Sequence, residues 1–126
     1  MASDTKTNDL KKLIMTQLKT LTSNVYYEIA ADNALYPHIV FSFKMINLGD
    51  LWRQDYTLDV DVWDKGQNTT RIDSLCDDIE RLLHMQNLPQ TGILPTFYLI
   101  DRRSILDEDK SIKHRLVRFQ IQNYER

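Results

Sequence analysis

Apolar residues at Leu10, Leu13, Ile14, Leu18 and Leu21 recur at three- and four-residue steps. That spacing predicts an amphipathic helix over residues 9–21, with one stripe turned to a core. Asn8 or Asp9 can cap its start, and Lys11, Lys12, Gln17 and Lys19 fall mostly on the other side. Residues 22–37 carry no clear period; they predict a short helical turn that becomes extended before Pro37. From there the period drops to two. Ile39, Phe41, Phe43 and Met45 alternate with smaller or polar residues, a strand over 38–46. Residues 47–50, Asn-Leu-Gly-Asp, have turn chemistry. A second strand over 54–63 shows the clearest alternation in the chain. Tyr56, Leu58, Val60 and Val62 share one side, and Thr57, Asp59, Asp61 and Trp63 the other. These two strands are expected to pair as an antiparallel hairpin.

After the break at 64–68, Ile72, Leu75, Cys76, Ile79, Leu82 and Leu83 form the stripe of a second helix over 69–86. A third strand is predicted over 96–104, an acidic turn over 106–110, and a last strand over 113–123. In that last strand Val117, Phe119 and Ile121 oppose Arg118, Gln120 and Gln122. The expected fold is a single α+β domain over 1–126, in the order α-β-β-α-β-β. Its antiparallel sheet has about four strands, with two helices packed on one face.

Charge and composition narrow the functions. A net charge of -2 gives no basic excess for wrapping nucleic acid. Residues 1–12 have no apolar run of the secretory type, and no stretch approaches the roughly 20 apolar residues that span a bilayer. Three glycines allow no phosphate-binding loop. Cys76 lies in the helical stripe, where packing is the expected role. His38, His84 and His114 fall in different elements without metal-ligand spacing, and no serine sits in a nucleophile-elbow context. No catalytic residue, metal or cofactor is expected.

Several side chains remain candidates for contact. Asp59 and Asp61, two apart on a strand, point to one side. The plain reading is a solvated face; a carboxylate pair can also do acid–base work, hold a hard cation or line a ring lumen. Trp63 lies beside them, and Trp52 precedes the strand; aromatics of this kind are common interface anchors. Arg102 and Arg103 precede the turn containing Asp107, Glu108, Asp109 and Lys110. That cluster reads either as a hairpin tip in solvent or as a charged contact between subunits.

Three blocks carry a resemblance. LYPHIVFSF (35–43), YTLDVDVWDKGQNTTRIDSLCDDIERLL (56–83) and FYLIDRRSILDEDKSIKHRLVRFQIQNY (97–124) resemble, in order and spacing, the tail-completion or tail-terminator family of phages and prophages. The resemblance implies a structural protein that forms a ring, usually a hexamer. Such a ring caps the tail tube, stops its growth and presents a surface to the head connector. The implied partners are further copies of the chain, the major tail tube protein and the connector or neck protein, with neither nucleic acid nor membrane bound. The implied location is the host cytoplasm during assembly and then the tail–neck junction of the virion. A head-closure or neck adaptor is the alternative, and a small metal-binding or enzymatic domain a more distant one.

Overall fold

The computed structural model describes residues 2–47, 53–89 and 92–125. Its elements run α1 (Ala2–Leu18), β1 (Val25–Tyr27), β2 (His38–Asn47), β3 (Arg53–Lys65), α2 (Thr70–Leu83), β4 (Ile93–Ile105) and β5 (Ile112–Glu125). Among the described residues the strands form one sheet in the order β1-β2-β3-β5-β4. β1 pairs with β2 in parallel, and the other three pairings are antiparallel.

The period-two stretches place alternate residues on one face of this sheet. Ile39 and Phe41 of β2, Leu58, Val60 and Val62 of β3, Val117, Phe119 and Ile121 of β5, and Phe97 of β4 are completely buried there. Leu10, Ile14 and Leu18 from α1 and Ile72, Cys76, Ile79 and Leu83 from α2 close the same core. α2 packs on β3, β5 and β4, while α1 meets both edge strands, β1 and β4, and so crosses the sheet. The join between β3 and α2 is fixed by charge. Asp64, 2% exposed, accepts the Lys65 amide (2.8 Å) and two hydrogen bonds from the Arg71 guanidinium. Burial alone would raise the Asp64 carboxyl, but Arg71 and the Lys65 amide outweigh it and hold the group below its ordinary value.

The expectation of about four antiparallel strands is corrected. The sheet has five strands and is mixed, and the order is α-β-β-β-α-β-β. The extra strand is Val25–Tyr27, in the stretch expected to hold a helical turn. Three residues are too few to show a period, and the pairing of Val25 with Ile39 and Tyr27 with Phe41 is set by packing over α1. The first helix also begins seven residues before the expected Asp9. It ends at Leu18, where the Thr20 and Leu21 amides bond the Gln17 and Leu18 carbonyls in a tightened turn. The turn expected at 47–50 lies largely outside the described residues.

Each edge of the sheet is covered over part of its length. β1 covers β2 from Ile39 to Phe41. It stops at Glu28, whose φ of 69° turns the chain away after its amide bonds the Phe41 carbonyl. On the far edge the chain leaving α2 turns at Met85 (φ 62°) and runs beside β4. Met85 and Leu88 donate to the Phe97 and Pro95 carbonyls, Phe97 donates to the Gln86 carbonyl, and the Leu99 amide donates to His84 Nδ1 (2.9 Å). Among the described residues nothing pairs with the outer edge of β2 beyond Phe41 or of β4 beyond Leu99.

Candidate functional site

The helices leave the opposite face of the sheet without a helical layer, and the chemistry-bearing side chains of the central strands gather there. Alternation puts Asp59, Asp61 and Trp63 of β3 on this face. The register of β5 brings Arg118 beside Asp59, Leu116 beside Asp61 and His114 beside Trp63. His38 of β2 lies on the other side of Trp63.

These neighbours pair. Arg118 grips the Asp59 carboxylate through Nε (2.7 Å) and Nη2 (3.2 Å). His114 Nε2 donates to Asp61 Oδ1 (2.7 Å) while its ring stacks on Trp63 at 3.7 Å. His38 lies nearly parallel to Trp63 at 6.3 Å, and the Tyr36 and Tyr26 rings approach His38 at 5.1 and 6.2 Å. His38 is buried and donates from Nδ1 to the Leu35 carbonyl (3.2 Å). Desolvation lowers its pKa, only partly opposed by that bond.

Two shallow cavities lie on this face and share Glu28 on their rims. One, about 650 Å³, is lined by Ser42, Lys44, Thr57, Asp59 and Arg118 among others. The second, about 520 Å³, lies toward the β1 edge, with Ile29, Tyr36, His38, Asp61, Trp63 and His114 in its wall. The pairing of Asp59 with Arg and of Asp61 with His leaves neither carboxylate as one of a bare pair. Among the described residues no three His, Cys, Asp or Glu side chains converge as a metal site. Cys76 is buried on the sheet-facing side of α2, and desolvation pushes its thiol up to about 12, which disfavours the thiolate in the folded chain.

The other candidate residues are dispersed. Trp52 lies outside the described residues. Arg102 and Arg103 do not act together: a bulge between Leu99 and Asp101 reverses the alternation of β4. Arg102 therefore turns to the helical side, where Nη1 donates to Asp77 Oδ1 and Glu80 Oε2, both at 2.7 Å. Its hydrogen bond and charge depress the Asp77 pKa. Arg103 stands on the uncovered face, exposed, level with Leu116. Asp107, Glu108, Asp109 and Lys110 form an exposed tip. Its carboxylates accept local amides, from Asp109 to Asp107 and from Ser111 to Asp109. His38, His114, Arg118 and Glu28 were not singled out from the sequence as members of a site. His114 and Arg118 lie 53 and 59 residues from their partners Asp61 and Asp59, and only the register of a non-adjacent strand reveals those two pairs.

The uncovered face therefore offers aromatic stacking and paired charges on a rigid sheet, a surface suited to contact with another macromolecule. No family model matches the sequence, and no curated protein matches it. The fold does have a solved counterpart. A chain in the virion of a native gene transfer agent (GTA) particle superposes with a TM-score of 0.69 at 10% identity, over 86% of this chain and 84% of that one. At that identity the likeness establishes a shared fold.

Proposed function

We propose that this chain is a structural protein of a phage-like particle. In this reading it assembles as a closed ring of identical copies, a hexamer, on the end of the tail tube, stops tube growth and joins the tail to the head connector. The observation that carries the reading is the fold shared, over most of both chains, with a component of a gene transfer agent virion. The ordered sequence blocks that resemble tail-completion proteins narrow it to the tail end. A head-to-tail contact repeated around a rotation axis closes into a ring, and a ring that offers the tube only one mating surface ends its growth. The work is done by contact, with no reaction and no cofactor. The chain would act in the host cytoplasm during assembly and then reside at the tail–neck junction.

Deleting the gene from a particle-producing cell tests this. Electron micrographs should show tubes of unregulated length without attached heads. Normal-length tails joined to heads would refute the role. Capture by portal-side proteins, with no affinity for tube ends, would move the chain to the neck.

A further inference from the structure

Six arginines of the described residues have a carboxylate partner within the chain: Arg53 with Asp55, Arg71 with Asp64, Arg81 with Asp78, Arg102 with Asp77 and Glu80, Arg115 with Asp73, and Arg118 with Asp59. Among the described residues Arg103 has none. It projects from the β4 edge on the uncovered face, in the cross-sheet row Val40, Asp61, Leu116, Arg103. At the opposite end of that same row lies the 520 Å³ cavity, with Val40 and Asp61 in its wall. Its rim carries Glu28, an exposed carboxylate that also has no cationic partner among the described residues.

We infer that this cavity receives Arg103 from a second copy of the chain, and that the Arg103–Glu28 pair forms the head-to-tail contact of the assembly. The inference rests on the ring reading above and specifies how its copies meet. Three observations favour a second copy over another occupant. The charges are complementary. The aromatic wall of Tyr36, His38, Trp63 and His114 suits the flat face of a guanidinium. Each partner surface also has an exposed apolar residue near the charge: Ile29, 80% exposed, beside the cavity, and Leu106, 96% exposed, just past the β4 end that bears Arg103. The two surfaces sit at opposite edges of one sheet, so the contact is heterologous and directional, as closure into a ring requires.

Charge exchange tests it, with mass measured by light scattering for the purified chain, alone and with tube ends. R103E and E28R should each weaken self-association by at least about tenfold through like-charge apposition. The double variant R103E/E28R should recover it. Both positions are exposed, and neither substitution adds or removes a glycine at the left-handed Glu28, so an unchanged thermal unfolding midpoint should certify the fold of each variant. An oligomeric wild type unaffected by either single change overturns the contact alone. Two weakened singles without recovery in the double overturn the pairing. Unchanged mass with loss of tube binding in E28R assigns the cavity to the tube protein instead. A wild type that is monomeric in both settings overturns the ring and, with it, the contact.

Discussion

Replacing Arg71 with Ala should cost the fold about 2 kcal/mol at neutral pH, and the cost should fade in acid. The Asp64 side chain is 3% exposed and that of Arg71 59%. The guanidinium supplies two of the three hydrogen bonds that the carboxylate accepts, leaving only the Lys65 amide when it is removed. Breaking a buried pair from one side costs about 3–5 kcal/mol. Here the solvated guanidinium half screens the pair and opens a route for water, which brings the expected loss to about 2 kcal/mol. The sign with pH follows from the depressed carboxyl. An acid whose folded pKa is lowered stabilises the fold above its unfolded value, about 3.9, and the gain disappears as pH falls through the lower folded value. Urea titrations of wild type and R71A from pH 7 to pH 3 should show a wide gap that narrows below about pH 4. A gap under about 0.5 kcal/mol at pH 7, or one that is unchanged at pH 3, would refute the assignment of this pair as the clamp between β3 and α2.

Phe119→Ala, at a completely buried position in the middle of β5, should lose about 3–5 kcal/mol in the same assay, and a loss under about 1 would contradict the core assignment. Cys76 should resist a thiol reagent at pH 8 in the native protein and react promptly once unfolded, since its thiol is pushed to about 12; rapid native labelling would contradict this. His38 should titrate below its ordinary value, about 6.5, in a nitrogen–proton NMR series. With a lowered folded value, stability is unaffected above the unfolded value, about 6.5, and is lost as pH falls from there through the folded value; a titration at or above the ordinary value would be inconsistent with burial. Asp59→Ala should change stability by no more than about 1 kcal/mol, because its pair with Arg118 is one-third exposed on both sides.

The long amphipathic elements were legible in the sequence because a repeated period states which side is buried. The alternation from Tyr56 to Trp63 and the stripe from Ile72 to Leu83 each specify a face many times over, and β3 and α2 lie where those patterns put them. β1 was not legible: its three residues pair in parallel through contacts with α1 and β2. Arg102 and Arg103 are neighbours in sequence. Consecutive strand residues face opposite ways in any case; the extra residue at Ile100 decides which of the two faces the helices, and sequence alternation cannot register a bulge. Asp59 and Asp61 were visible as a pair on one side, but their partners on β5 come from the far end of the chain. The site was readable as a list of acids and aromatics on β3, and its ion pairs only after the strand order was known.

The two partial edge covers have a consequence for growth of the sheet. Ser42, Asp59, Arg118 and Asp101 share a row near the middle. On the β2 N-terminal side of that row, β1 occupies one margin. On the other side, the segment after α2 occupies the opposite margin. Above or below this midline, level side-by-side stacking of β2 on β4 meets β1 on one molecule or the segment after α2 on the other. An endless flat ribbon, the hazard of any sheet with two bare margins, is obstructed by three residues at one end and a short irregular stretch at the other.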